Sequence, residues 1–244
     1  MPPIRAVAVS LSASDRLVFE GGEAGLDGWA LVSVGGSDRE KFLHSQLTSD
    51  VKTLTVGVSH QTALLDRTGR LQVFGFLHKR AERIDLLLPA DAVDSAVAVL
   101  EANVITDDVD FRRLDVSELT LMLGAEAVRL APTLPAETTF PIEGWGSRGC
   151  VTWAAERPRL PEIPSRELEA RRVLSGLPSW GVEAAEGQLI HETSLLESAV
   201  SFDKGCYLGQ ETVAKVASGR GAARGPVLLE VVEGEPVPAD GALG

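Results

Sequence analysis

The order of its segments places this chain in the α+β class. Three observations carry that reading. Short apolar runs are bounded by Gly and Pro, one stretch has helical period, and strand-like runs resume after it. Residues 28–34 (GWALVSV) read as a strand between glycines. Gly35-Gly36 breaks it, and Ser37-Asp38-Arg39-Glu40 has the form of a capping box, a hydroxyl followed three residues later by a carboxylate. The helix that follows carries Phe42, Leu43 and Leu47 and ends near Thr48-Ser49-Asp50. Residues 59–65 and 71–78 read as paired strands, and Asp66-Arg67-Thr68-Gly69 supplies the glycine that a tight turn needs for positive φ. Residues 84–88 form another apolar strand, closed by Pro89. Val93, Ala96, Val97 and Leu100 fall at i, i+3, i+4 and i+7, which predicts a helix over residues 90–102. Residues 109–116 and 119–123 return to strand pattern, with Asp107-Asp108 before them as a solvated turn. Residues 131–164, rich in Pro and Gly, read as a connection holding one or two short strands. Residues 165–175 read as a helix with Ser165 as its N-cap and Gly176 as its stop. A short helix over 210–217, a basic loop over 219–225 and a strand over 227–232 complete the order.

Composition narrows the function classes. The 244 residues carry a formal net charge of −12. Such a chain lacks the long-range pull on phosphates that drives DNA binding, so stable DNA binding is not expected and any RNA contact needs a local basic patch. No apolar run of about 18 residues occurs, so no membrane span is expected, and the N-terminal residues lack a leader pattern. A cytoplasmic location is the expectation. Two cysteines, Cys150 and Cys206, are too few for a disulfide framework or for a four-thiolate cluster. His44, His60, His78 and His191 show no ligand spacing, so no metal site is expected. Gly144, Gly146 and Gly149 match G-x-G-x-x-G, but the strand-like run Cys150-Val151-Thr152-Trp153 stands where a dinucleotide site needs a helix.

The densest chemistry is Lys204-Gly205-Cys206-Tyr207-Leu208-Gly209-Gln210-Glu211. In an extended segment Lys204 and Cys206 share a face. An ammonium beside a thiol favours thiolate, and a helix starting near Gly209 would push the same way. The expectation is a reactive, partly exposed thiol at Cys206 with a pKa below about 8.5, tuned by Lys204. Gln210 and Glu211 are expected to cap or bridge the local turn.

This segment resembles the signature of the YgfZ family of folate-binding proteins, K-G-C-[Y/F]-x-G-Q-E, at every fixed position. Further stretches resemble the same family: LVSVGGSDREKFLHSQLTSDV, the hairpin TALLDRTGRL, RVLSGLP, Ile190-His191-Glu192-Thr193, and Arg220-Gly221 with Arg224. The resemblance implies an α+β, T-protein-like fold, built on an aminomethyltransferase-type folate-binding domain. Residues 1–50 plus 142–225 would form that discontinuous domain, 51–141 an inserted ferredoxin-like domain, and 226–244 only the start of a C-terminal β-barrel that is truncated or absent. It implies bound tetrahydrofolate or another folate derivative, contacted by Gly205, Tyr207, Gly209, Gln210 and Glu211. Glu192 or Glu183 would accept the paired donors of the pterin edge. Arg172, Arg220 and Arg224 would take the glutamate tail. The implied role is that of an accessory protein for iron–sulfur cluster assembly or repair in client enzymes, including tRNA-modifying ones. Its partners would be folate and iron–sulfur client or assembly proteins. Two alternatives stand beside it. An aminomethyltransferase of T-protein type needs a carboxylate pair where this hairpin offers Asp66 alone, and a direct tRNA-modifying protein needs an RNA groove.

Overall fold

A strand buried on both faces must be covered on both sides, and β4 (Leu71–Lys79) is such a strand, buried at every position except Gln72. The computed structural model describes residues 21–219 together with Gly225 and Pro226. The expected strand at 227–232, and with it nearly all of the expected barrel start, lies outside the described residues. Within them, β4 sits in a five-stranded antiparallel sheet ordered β3-β4-β5-β2-β6, with β2 at Trp29–Gly35, β3 at Ser59–Leu65, β5 at Ile84–Pro89 and β6 at Asp110–Arg113. A second antiparallel sheet is ordered β1-β7-β9-β8, from Gly22–Gly25, Thr120–Leu123, Ser147–Thr152 and Thr139–Gly144.

Side chains alternate across each strand, so each strand of the first sheet feeds two cores. Leu31, Leu65, Phe74, Phe76 and Leu87 meet Leu121, Leu123, Phe140, Ile142 and Val151 of the second sheet. Val32, Val34, Leu64, Val73, Leu86 and Leu88 face the other way, onto helices α1 (Arg39–Gln46) and α2 (Val93–Ala102). A small third core, Met122, Cys150, Ala127 and Leu130, lies between the far side of the second sheet and α3 (Ala125–Leu130). The layers therefore run helix, sheet, sheet, helix. The remaining helices, α4 (Ser165–Leu174), α5 (Leu195–Ala199) and α6 (Gln210–Ser218), join the segments whose Leu177, Ile190, Leu195, Tyr207 and Val213 close the inter-sheet core.

Each sheet draws strands from both sides of the boundaries expected at residues 50 and 141: β2 pairs with β5, and β7 pairs with β9. The expected capping box is not formed. Ser37 donates its N–H and hydroxyl to Asp108, at 2.9 and 2.8 Å, and the N-cap of α1 is Asp38, whose carboxylate accepts the Asp108 N–H. Asp108 is thus a tether between β2 and β6, and its partner Asp107 holds Lys41 at 2.9 Å. Pro164, not Ser165, is the N-cap of α4. The Pro- and Gly-rich connection contains a full hairpin, β8–β9, with its two strands inside the second sheet. Its proline, Pro141, pairs opposite Cys150 on the edge strand β8, where a missing N–H is tolerated.

His78 lies in β4 with its ring stacked on Phe140 at 5.2 Å and its Nδ1 3.0 Å from the Ser59 hydroxyl. Burial, helped by the charge of Arg80 and opposed by Asp85, pushes its pKa down to about 4. The unfolded chain therefore binds the proton first as pH falls, so this group's stability is complete above about 6.5 and is lost by about pH 4. The loss should total about 3 kcal/mol. Denaturant midpoints measured from pH 7 to pH 4 should fall more steeply for the native chain than for His78→Phe; equal slopes would refute the assignment.

Candidate functional site

The signature segment is docked onto the C-terminal end of α1. A helix ends with carbonyls that lack intrahelical partners, and a cation there is favoured. Lys204, 6% exposed, supplies it. Its ammonium donates to the carbonyls of His44, Leu47 and Ser49 at 2.5, 2.7 and 2.9 Å and lies 5.0 Å from the Tyr207 ring. Burial pushes its pKa down to about 8, while Asp50 opposes the shift. Two backbone bonds and one from a side chain reinforce the docking: Ser201 N–H to Thr48 O at 3.0 Å, Leu208 N–H to Ser45 O at 3.1 Å, and the Thr48 hydroxyl to Ala199 O at 2.6 Å.

An ammonium has three donors, and all three are taken by carbonyls. Lys204 therefore anchors the segment to the end of α1. Cys206 is exposed, as is Gly205, where an added Cβ would meet open space. Tyr207 is buried in the inter-sheet core, so its ring serves packing, and burial pushes its hydroxyl up to about 12. Gly209 has φ +83°, and a Cβ there would lie 2.5 Å from the Asp66 carbonyl, so only glycine lets α6 start against the β3–β4 turn. Gln210 and Glu211 open α6, but neither forms the expected cap; their side chains make no hydrogen bond among the described residues.

Two of the expected cofactor residues are spent on each other. Arg172, 7% exposed, pairs with Glu183 at 3.0 and 3.2 Å, with Glu169 at 2.6 and 2.8 Å, and with Leu177 O at 2.6 Å. Glu183 also accepts the Ser179 N–H at 2.8 Å. A ligand would have to displace this network, so Arg172 and Glu183 fix the exit of α4 instead. Glu192 ends a 3-10 turn, Ile190–Glu192, half-buried, and its carboxylate takes no partner among the described residues. Next to it, His191 hydrogen-bonds the Val213 carbonyl through Nε2 at 2.9 Å, and its buried Nδ1 is unpartnered. Burial holds this imidazole below its usual pKa. Arg220 and Arg224 lie outside the described residues. Asp66 stays in its own turn. Burial works to raise its pKa, but bonds from the N–H groups of Arg70 and Thr68 and from the Thr68 hydroxyl hold it below the usual range.

Sequence reasoning missed a cleft of about 370 Å³, lined by Gln61, Glu143, Ser147, Arg148, Ser175 and Leu177 together with Gly144 and Gly146. That volume is in the range of small-molecule sites. It lies where the β8–β9 turn approaches the end of α4; a Cβ on Gly146 would be 3.7 Å from Ser175 and one on Gly144 3.9 Å from Leu177. The turn is held by Trp145, which has φ +50° and a buried ring stacked at 6.1 Å on Phe76 and edge-on to Trp29. Glu143 and Arg148 are cross-strand partners in register, yet they form no ion pair and have no side-chain partner among the described residues. The signal in the sequence was the glycine spacing at residues 144–149, which marks this turn.

These positions acquire a context from known proteins. No family model matches the chain. An uncharacterised protein of Haemophilus influenzae is 29% identical over 84% of this chain and 71% of its own length. A protein of Yersinia enterocolitica named tRNA-modifying protein YgfZ is 27% identical over 81% of this chain and 67% of its own. Others of that name, from Serratia proteamaculans and Yersinia pseudotuberculosis, are 27% and 25% identical. The chain is homologous to the YgfZ proteins. Its fold matches that of the glycine cleavage system aminomethyltransferase T from Bartonella henselae, with TM-score 0.67 at 18% identity, over 81% of this chain. The chain spans 63% of that protein. The T-protein-like fold read from the signature is therefore present. Among the described residues no helix is long and apolar enough to cross a membrane.

Gly209→Ala should destabilise the chain by about 1–3 kcal/mol through left-handed strain, with the clash against Asp66 adding to it. A denaturant midpoint unchanged by this substitution would refute the close approach of α6 to the hairpin turn.

Proposed function

We propose that the chain is a cytoplasmic folate-binding accessory protein that supports iron–sulfur cluster assembly or repair in client enzymes, tRNA-modifying ones among them. The observation that carries this reading is the presentation of Cys206. Its sulfur is exposed, while the residues on either side of the Gly205-Cys206 pair, Lys204 and Tyr207, are buried. A thiol kept for packing would be inside, as Cys150 is. A thiol held out on a fixed loop suits contact with a partner. The YgfZ homology and the T-protein fold support the same reading.

Groups of the kind a folate recognises are present at the surface. A pterin offers paired donors on one edge, which a carboxylate accepts, and its tail is a carboxylate that a guanidinium binds in two-pronged fashion. Glu143 and Arg148 are exposed and unpartnered at the open cleft, and Glu192 is a second unpartnered carboxylate. Bound tetrahydrofolate would supply a nitrogen able to carry one-carbon groups. Glu143 and Arg148 face each other across the β8–β9 hairpin and would meet the same end of the ligand, Glu143 by the pterin edge with Leu177 as apolar wall, and Glu192 is the alternative carboxylate.

Thermal unfolding with tetrahydrofolate tests the proposal. At a hundredfold excess over the dissociation constant the ligand should stabilise the chain by about 2.7 kcal/mol. Glu143→Gln combined with Arg148→Met should remove most of that shift, and Cys206→Ser should keep it. No shift at millimolar tetrahydrofolate would overturn folate binding. A shift lost only in Glu192→Gln would move the pterin away from this cleft. In a strain lacking its own homologue, Cys206→Ser should fail to restore iron–sulfur enzyme activity; full restoration would remove the thiol from the function.

A further inference from the structure

We infer that Lys204 is the positioning residue of the Cys206 loop, its ammonium held among three carbonyls at the end of α1. The inference rests on the reading that Cys206 is the working residue. The three carbonyls come from the end of α1 and the chain just beyond it: His44 O, Leu47 O and Ser49 O, all within 2.9 Å of the ammonium. These oxygens belong to one short stretch, and the ammonium arrives from 155 to 160 residues away. Three carbonyl dipoles at a helix C-terminus make a negative pocket. The Tyr207 ring, 5.0 Å from the nitrogen, adds its face to the same cation. The charged groups facing the ammonium are Asp50, which favours the cation, and Lys52, which opposes it, with His44 from α1 itself.

The consequence for the loop is geometric. Lys204 is pinned by its head group, Tyr207 by its ring in the core, and Ser201 and Leu208 by backbone bonds to Thr48 and Ser45. Between these four fixed points only Phe202, Asp203, Gly205 and Cys206 are exposed. Removing the ammonium leaves three carbonyls without a partner beside a buried aliphatic stem. Buried unpaired acceptors are costly, so the loop should lift to let water in.

The test uses the full chain and needs neither folate nor a client. Lys204→Ala lacks three carbons and the nitrogen, which n-propylammonium restores. Lys204→Met keeps the stem and lacks the charge. In both variants the Ser201 and Leu208 amides should exchange with solvent at least tenfold faster, while the β4 amides keep their protection. Alkylation of Cys206, located by mass spectrometry, should move from the native rate to that of an unstructured peptide of residues 201–209. Millimolar n-propylammonium should reverse both changes in Lys204→Ala but not in Lys204→Met, and 1-propanol should reverse neither. Native protection and alkylation rate in Lys204→Met would overturn the proposal. So would failure of n-propylammonium to restore them in a folded Lys204→Ala. If Lys204→Ala does not fold, Lys204→Met carries the comparison. Loss of β4 protection in Lys204→Met would also overturn the proposal, because Lys204 would then hold the whole fold and not the loop. A failed folate shift leaves these readouts unaffected, so the two readings fail separately.

Discussion

A buried ammonium among three carbonyls is the constraint on which the signature region depends. The end of any helix leaves carbonyls that must find donors. Here the donors come from Lys204, far along the chain, so closing α1 and placing the signature are one event. The same contact explains why the first and third residues of the segment have opposite fates. Lys204 goes in and Cys206 stays out, though an extended segment would put both on one face. Gly209 then sets the direction of α6 by its left-handed backbone against the β3–β4 turn.

The layering gives this loop and the cleft a rigid frame. The first sheet is buried on both faces, by helices on one side and by the second sheet on the other. The β8–β9 hairpin brings Glu143 and Arg148 to the cleft because its turn is pulled inward by Trp145. A tryptophan in a left-handed conformation is costly, and its ring contacts with Phe76 and Trp29 offset that cost. The geometry of the cleft is therefore set by aromatic packing beneath the turn.

Much of the fold was legible in the residues, and the reasons are local. The apolar runs of β2 to β5, the helical spacing of Val93, Ala96, Val97 and Leu100, and the glycine of the Asp66–Gly69 turn all act within a few positions. The strand after Gly149 was legible for the same reason. What escaped was long-range. Ser37 looks like a cap but bonds Asp108, 71 residues on. Arg172 and Glu183 look like ligand groups until the loop after α4 folds back and pairs them. The cleft joins three separate segments, so no single stretch announced it.

The two cysteines sit in opposite surroundings, and that has a chemical outcome. Cys150 is sealed between the second sheet and α3, and burial pushes its thiol up to about 11. It cannot serve as a resolving thiol for its counterpart without opening that layer. If Cys206 is oxidised to a sulfenic acid, the sulfur that reduces it must therefore come from another molecule, such as glutathione or a second protein. Oxidation would then link this surface to its surroundings and leave the interior untouched.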